Sequence, residues 1–462
     1  MRAAPSIEVA RTAPPPRAGI VDVLLALWLW ATLFTAYGPK EVQQQFHYVP
    51  QILLAILAVP LVIRRLAEGR MLLPTEAFLY IAWAVWGSTG LFVARYERIF
   101  WSSYGQTWKL LILFLLVAWA VDSYHRLWTL LVVGFLGGML AATVAPLLGF
   151  GSYEEMAGGF GGRARGALGN PNTLSLLASI GFMGTVLAIV TARRKRAKVL
   201  WTLGLAAPLY IAWITGSRNA WAALVLFGMM FYLFYLRPRM RGRFGARMAA
   251  ATTLAVAVVG GTALMLTFSR FAGRFESLIE FLTTGETRSF FQSGRAQTMF
   301  AELRMAAKNP IFGVGLGQDS LLLMQYGAPR QLFLHSDMPG LAGLIGLPGW
   351  LLYYAILGTL TFRCWRASKH PTATHEERNT LSLVAGFTAT SVAMTLFSPL
   401  YCAKIAWMFW GGIAGYVTTM SAQFAQRAAQ PHPALTPEPG AADGEAVRPG
   451  TPPVTTGPLA GT

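Results

Sequence analysis

Charged residues are scarce in this chain: Asp, Glu, Lys and Arg make up only 13% of its 462 residues, whereas a soluble globular protein carries roughly a quarter. Cysteine is almost absent, and the two that occur, Cys364 and Cys402, exclude a disulfide scaffold and a cysteine-based metal site. Hydrophobic residues dominate instead, at 54% of the chain. This composition predicts a protein that folds in lipid rather than in water.

The hydrophobic residues fall in runs, and a run of about twenty can cross a bilayer because a helix satisfies its own backbone polar groups. We expect an all-α integral membrane protein with about twelve transmembrane helices, and Pro208 should kink the seventh. The predicted spans lie near residues 20–37, 48–63, 74–93, 106–121, 127–148, 172–191, 199–214, 219–236, 248–268, 340–362, 380–397 and 402–420.

The net charge of +18 would suggest nucleic-acid binding in a soluble protein, but here the basic residues sort by membrane side. Lys and Arg are concentrated in alternate connections, most densely in residues 193–198 and 237–247. By the positive-inside rule these connections and both termini are cytoplasmic. We therefore expect membrane lipids, and no nucleic acid, as partners.

Five segments follow from this topology. Residues 1–19 and 421–462 are rich in Ala, Pro, Gly and Thr, and we expect both to be disordered cytoplasmic tails. Nine predicted helices occupy residues 20–268, the first of them an uncleaved anchor, and three occupy residues 340–420. Between these groups, residues 269–339 form an exterior loop of about seventy residues, and loops of such length are usually functional or disordered. Helical periodicity within it favours a folded, functional loop.

One helix is evident inside the long loop. It is predicted from Ser293, which can cap it, to Lys308, since Asn309-Pro310 stops it. Arg295 falls in its first turn, where free backbone N–H groups favour anions. The glycine run 313–317 then forms a flexible turn that can approach a substrate closely. Three apolar residues share one helix face: Phe300, Leu303 and Ala307.

His335 is the candidate general base. Of the six histidines, only His47 and His335 reach the exterior in this topology, and His335 ends the long loop just ahead of the tenth span. An imidazole there can accept a proton from a substrate hydroxyl near neutral pH. Asp337 or a backbone carbonyl can orient it. The alternative, an ordinary surface histidine, is more frequent for an isolated residue of this type.

Arginines form the second candidate group, because guanidinium groups bind phosphate oxygens through paired hydrogen bonds. Arg218 lies in a tight turn between two apolar runs, and Arg163 and Arg165 lie in a glycine-rich connection. Arg295 and Arg288 belong to the long loop. The alternative for the loop arginines is anchoring at lipid headgroups or pairing with nearby glutamates. We assign that alternative to a second set: Arg270, Arg274, Arg304 and Arg330.

No exterior Asp-x-Asp pair, His-x-x-x-His helix or cysteine cluster offers a divalent-metal site. We expect neither a metal nor any other cofactor.

The combination of these motifs resembles the O-antigen ligase and polymerase superfamily. The resemblance rests on a long exterior loop before a late span, the sequence Ser293-Gly-Arg295 at a helix start, and the glycine run after Asn309-Pro310. A histidine ahead of a glycine-rich span, His335, also fits. Two further stretches complete it: Thr215-Gly-Ser-Arg218 and Gly169-Asn-Pro-Asn172.

The resemblance implies a glycosyltransferase of the GT-C type in the bacterial inner membrane, with its active site at the periplasmic face. It would transfer O-antigen from undecaprenyl diphosphate to the lipid A–core oligosaccharide, without a metal and with inversion. His335, Arg218 and Arg295 would be catalytic. The donor would contact Arg163, Arg165, Arg288, Asn170, Asn172 and Gly315.

Three other functions remain open. An O-antigen polymerase of the same superfamily tends to show two substantial exterior loops, and here the second would be the short segment 149–171. A protein-directed oligosaccharyltransferase usually has a larger C-terminal exterior domain. A transporter would place ionisable residues within its spans. The single dominant loop favours the ligase.

Overall fold

A computed structural model describes residues 19–37, 44–67, 73–148, 168, 170–240, 244, 248, 294–329, 334, 336–396 and 398–430. The described residues form helices joined by turns, and they contain no strand. Of Arg218 and Arg295 only the backbone is described. The helices are α1 Ile20–Tyr37, α2 Val49–Ala67, α3 Thr75–Gly87, α4 Glu97–Ala120, α5 Tyr124–Leu147, α6 Pro171–Thr191, α7 Lys195–Thr215, α8 Arg218–Phe231, α9 Gly294–Lys308, α10 Asp337–Ala367, α11 His375–Met394 and α12 Lys404–Ala429.

The chain is an all-α membrane protein. Seven of the described helices are long and apolar enough to cross a bilayer, and α1 is a shorter apolar helix. The predicted number of twelve spans stays a prediction, because the ninth predicted span, 248–268, lies almost wholly outside the described residues. Both predicted tails lie largely outside them as well.

Local sequence signals explain where several helices begin and bend. The side chain of Asn170 caps α6, and Pro171 occupies the first helical position, where its missing N–H is no loss. Thr374 and Glu377 form a reciprocal capping box at the start of α11. Helix α7 consists of two segments, Lys195–Gly204 and Ala206–Thr215, and the division lies where Pro208 cannot donate to the carbonyl of Gly204.

Close helix packing forms the centre of the bundle. A side chain at Gly411 or Gly415 of α12 would overlap backbone atoms of Phe114 or Ala118 in α4, so these glycines let the two helices approach each other. Large aromatic side chains fill the space beside this contact. Four of them are fully or almost fully buried and in mutual ring contact: Tyr80, Trp83, Tyr353 and Trp407.

Ion pairs tie one end of the bundle together. Arg427 of α12 binds Glu377 of α11 at 2.8 Å, and Arg193 binds Glu376 at 2.9 Å. At the same end Glu76 lies fully buried at the start of α3 and binds Arg363 of α10. We call the opposite end, where α6, α8, α10 and α12 begin, the site end.

Two details of the prediction are wrong at helix boundaries. The last helix continues to Ala429 instead of giving way to a disordered tail at 421, because Phe424 is buried and Arg427 is ion-paired. The tenth predicted span begins at Asp337 rather than at 340, inside the segment assigned to the long loop, because buried residues such as Pro339 already pack there.

The orientation of α9 differs from the face chosen by periodicity. Its start and end match the prediction closely. However, Phe300 and Leu303 are exposed, while Ala301 and Met305 are fully buried against the start of α10, where Met305 contacts Gly343. The buried face also carries two polar side chains, Thr298 and Glu302.

Candidate functional site

Hydrogen bonds between side chains link three separate connections at the site end. Asn172, at the start of α6, accepts a long hydrogen bond (3.5 Å) from the hydroxyl of Ser217 in the turn between α7 and α8. The first turn of α8 is bound as well, because the side-chain amide of Asn219 donates to the hydroxyl of Ser398 at 2.7 Å. The two neighbours of Arg218 are therefore both bound: Ser217 to the start of α6, and Asn219 to the α11–α12 connection.

The α7–α8 turn is as tight as the sequence predicts. Only Gly216 and Ser217 separate the two helices, and Gly216 has a φ of 55°, in the left-handed region that glycine adopts without strain. Arg218 is consequently the first residue of α8. A helix start combines free N–H groups with the positive end of the helix dipole, so this position suits an anion.

Asp337 joins the α11–α12 connection to the start of α10. Its carboxylate accepts hydrogen bonds from the backbone N–H of Leu400 at 2.9 Å and of Tyr401 at 3.1 Å. The hydroxyl of Tyr353, further along α10, donates to it at 2.7 Å. The side chain is fully buried, so its observed partners are these donors. Its predicted role in orienting His335 stays a prediction, since His335 lies outside the described residues.

Two more carboxylates hold the residues that flank position 335. The backbone N–H of Leu334 donates to Asp319 at 3.0 Å, and the hydroxyl of Ser336 donates to Glu302 at 3.3 Å. Burial raises the pKa of the Asp319 carboxyl above its ordinary value, and nearby backbone N–H groups, with that of Leu334 first, offset part of this effect. The segment before α10 is thus fixed on both sides of the predicted base.

The glycine run packs against a break in α10. Gly346, with φ 71° and ψ 173°, interrupts the helix and leaves carbonyls of its first half without helical partners. Val314 N–H donates to Gly343 O and Gly315 N–H to Leu344 O, both at 2.9 Å. Gly315 itself has a φ of 94°. Its described contacts are therefore structural, and its predicted contact with substrate stays a prediction.

Gln318 fastens the same loop to the connection between α3 and α4. Its side-chain amide donates to the carbonyl of Tyr96 at 3.0 Å and accepts from the N–H of Tyr96 at 3.1 Å. Gln318 is fully buried, and both its amide oxygen and its amide nitrogen have a hydrogen-bond partner. The loop that carries Asp319 is thereby held against both α10 and α4.

One comparison with known protein families finds a match in this part of the chain. A family model described as O-antigen ligase matches residues 203–354, from α7 through the glycine run to the middle of α10. This middle third of the chain is similar to the O-antigen ligase family. The expected resemblance is confirmed, and its segment includes Arg218, Arg295, Gly315 and Asp337.

The other comparisons add little to this match. No curated protein matches the chain. One chain of a solved structure, titled "Structural coordination of polymerization and crosslinking by a peptidoglycan synthase complex", aligns with 73% of this chain and 95% of its own length. It has 16% sequence identity and a TM-score of 0.41.

The candidate site brings some of the predicted residues together, and other predicted residues lie outside the described part. Asn170 and Asn172 lie at the start of α6, where the side chain of Asn170 accepts from the N–H of Asn172 at 2.8 Å. Arg218 and Arg295 are placed by their backbones at two helix starts. Four predicted residues lie outside the described part: Arg163, Arg165, Arg288 and His335.

Sequence reasoning missed two lysines near the candidate site. Lys404 is the first residue of α12, three residues after Tyr401, and Lys109 of the neighbouring α4 repels it electrostatically. Neither lysine has an ion-pair partner in the described part of the chain. The sequence signal that could have found them is a lysine next to or within an apolar run, because an ionisable residue in a membrane span is a functional candidate.

Sequence reasoning also missed the turn around Leu400. Ser398-Pro-Leu-Tyr401 looks like an ordinary connection between two spans, and nothing local indicates that its backbone binds Asp337. For Glu302 the sequence suggests no more than an ion pair with a nearby arginine of the loop. Its burial opposite Ser336 becomes visible once α9 is docked on α10.

Proposed function

We propose that this protein is an O-antigen ligase, which transfers O-antigen polysaccharide from undecaprenyl diphosphate to the lipid A–core oligosaccharide at the periplasmic face of the inner membrane. The observation that carries the proposal is the hydrogen-bonded connection of Asn172, Ser217, Asn219 and Ser398 at one end of the apolar bundle. Ser217 and Asn219 belong to the segment that matches the O-antigen ligase family, and the connection joins them to Asn172 at the end of the bundle where α10 starts.

The diphosphate is bound by cations of the chain. Arg218 and Arg295 each occupy the first turn of a helix, where side-chain and backbone donors converge on phosphate oxygens. Lys109 and Lys404 supply additional positive charge beside the α11–α12 connection. Arg163, Arg165, Arg288 and the asparagines of the α6 start complete the donor site. This positive field stabilises the charge that develops on the leaving diphosphate.

His335 accepts the proton of the acceptor hydroxyl. That oxygen forms a bond to the anomeric carbon of the glycan while the bond from this carbon to the diphosphate oxygen breaks. The electron pair leaves with undecaprenyl diphosphate, and the proton stays on the imidazole. A single displacement of this kind inverts the anomeric configuration, in the manner of a GT-C glycosyltransferase that uses no metal. General-base catalysis contributes about 10²–10⁴-fold to such a step.

Electrophoresis of lipopolysaccharide from a strain that lacks this protein tests the proposal. We expect loss of the whole O-antigen ladder, accumulation of lipid-linked polymer, and recovery with the wild-type gene. A core that carries a single repeat unit would identify the protein as the polymerase instead. An unchanged ladder would contradict both reactions.

A further inference from the structure

Two lysines from neighbouring helices lie at almost the same level of the bundle. Gly411 of α12 contacts Phe114 of α4, and the same contact recurs four residues later in both helices, so α4 and α12 run in the same direction. Lys404 lies seven residues before Gly411, and Lys109 lies five residues before Phe114. The two lysines therefore differ in height by about 3 Å along the helix axes.

No described residue balances the positive charge of this lysine pair. Among the residues that the structure describes, neither ammonium group has an ion-pair or hydrogen-bond partner, and Lys109 repels Lys404. Lys404 is half-buried, and Lys109 lies midway along a helix that is apolar enough to cross a bilayer. Two like charges at such a place destabilise each other, and a bound anion removes that repulsion.

Open space lies beside the pair on α4. A methyl group added at Gly105, four residues before Lys109, would have no atom within 4 Å. Trp101 and Ile112 flank these positions on the same face of the helix, and their side chains are 52% and 53% exposed. Exposed apolar side chains on a membrane helix face lipid, so the lysine pair can be reached sideways from the bilayer.

We propose that Lys109 and Lys404 bind the phosphate group of a membrane lipid, which enters from the bilayer past Gly105. Two properties of the surface define this class of ligand. The ammonium pair selects an oxyanion, and phosphate is the anionic group of most membrane lipids. The exposed apolar face that continues to Ile112 accommodates the hydrocarbon chain of the lipid, from which an inorganic anion gains nothing.

This lipid phosphate site adjoins the candidate functional site. Lys404 follows Tyr401 by three residues, and Tyr401 donates its backbone N–H to Asp337 at the start of α10. Two kinds of lipid carry the required phosphate: a polyprenyl phosphate or diphosphate, and an anionic phospholipid of the bilayer. Only the first kind rests on the proposed function, in which the site serves as the lateral entrance for the lipid-linked donor.

Native mass spectrometry of the full-length protein in detergent measures lipid binding without any catalytic step. The probes are undecaprenyl phosphate, phosphatidylglycerol and inorganic phosphate. Lys109→Gln and Lys404→Gln each remove one charge, Lys404→Arg keeps it, and Gly105→Leu fills the open space without changing a charge. Two matched controls are Lys308→Gln, at an exposed lysine that ends α9, and Gly358→Leu, where an added methyl also has no atom within 4 Å.

We expect the Kd for the preferred lipid to rise about ten- to a hundredfold in Lys109→Gln, Lys404→Gln and Gly105→Leu, since each change removes a charge-assisted contact or occupies the space of the ligand. Lys404→Arg and both controls should stay within about threefold of wild type. A preference for undecaprenyl phosphate identifies the donor carrier as the ligand, whereas a preference for phosphatidylglycerol identifies a bilayer phospholipid. Inorganic phosphate should bind far more weakly than either lipid.

Three results would overturn this inference: wild-type affinity for both lipids in both lysine variants, equal losses in the two controls, or inorganic phosphate that binds as tightly as the lipids. Each variant is checked for a wild-type melting temperature. If Lys404→Gln does not fold, Lys109→Gln and Gly105→Leu decide, because they change an exposed lysine and an open position.

Failure of this inference is distinguishable from failure of the proposed function. If the strain that lacks the protein keeps its O-antigen ladder while the lysine variants lose lipid binding, the proposed function is wrong and the lipid phosphate site stands. If that strain loses the ladder while the lysine variants bind both lipids normally, the lipid phosphate site alone is wrong.

Discussion

The carboxylate of Asp337 accepts a hydrogen bond of 2.9 Å from the backbone N–H of Leu400. These residues are 63 positions apart, one at the start of α10 and the other in the connection between α11 and α12. The bond joins the end of the predicted catalytic loop to the turn that also holds Asn219 beside Arg218. The predicted base and the predicted diphosphate-binding arginine are therefore attached to the same turn.

Replacing Asp337 tests how much this junction contributes to stability. Asp337→Asn should lower the melting temperature of the purified protein clearly, because an amide cannot accept all of the bonds from Leu400, Tyr401 and Tyr353. Each buried donor left unpaired costs about 1–3 kcal/mol. Tyr353→Phe removes a single donor and should cost less, about 1 kcal/mol. Equal melting temperatures for all three proteins would show that the junction carries no stability.

The break in α10 gives a sharper stability test. Gly346→Ala should destabilise the protein by about 3 kcal/mol or more, because the backbone conformation at this glycine is strained for other residues and the added methyl would overlap the carbonyl of Ile311. Gly358→Ala in the same helix is the matched control, since nothing lies within 4 Å of the added methyl. Thermal unfolding of both variants should separate them clearly; similar curves would refute the strain argument.

The arginines at helix starts should be needed for activity. Arg218→Ala and Arg295→Ala should each reduce transfer by on the order of a hundredfold or more, and lysine should restore it only in part. Arg304→Ala is the control: this exposed residue of α9 binds the carbonyl of Tyr326 at 2.9 Å. It should stay within about twofold of wild type. Normal activity of the first two, at equal expression, removes them from the mechanism.

The pH dependence of the reaction should reveal the base. With His335 in that role, kcat/KM should rise with pH through a limb near the ordinary histidine pKa of about 6.5, and His335→Gln should be almost inactive. Asp319 is the competing candidate, because burial raises the pKa of its carboxyl. Asp319→Asn should keep the limb. If Asp319→Asn lost the pH-dependent limb of kcat/KM while His335→Gln stayed active, Asp319 and not His335 would be the general base.

Cysteine labelling tests which membrane face carries the site. In a background without Cys364 and Cys402, Ser320→Cys should react with a membrane-impermeant reagent in outer-permeabilised cells. Gly242→Cys, in a basic connection outside the described residues, should be protected, since basic connections stay cytoplasmic. The reverse pattern would place the site in the wrong compartment for a ligase.

The sequence predicted the features that depend on neighbouring residues. Capping, stop and turn residues act over one helical turn, so the bounds of α9 and the two-residue turn before Arg218 were predictable. Runs of apolar residues indicated membrane helices for the same reason. The O-antigen ligase family was also within reach, because its motifs are short and lie in a fixed order.

Only the tertiary structure decided which residues face one another. Periodicity identified an apolar face on α9 but not its partner, and the face that packs on α10 contains the charged Glu302. The glycine run looked like a substrate loop, yet its described N–H groups bind the broken end of α10. The contact of Asp337 with Leu400 has no local signature at all, because it joins residues far apart in the chain. Sequence pattern fixes short-range geometry, whereas burial and partner choice are properties of the packed helices as a whole.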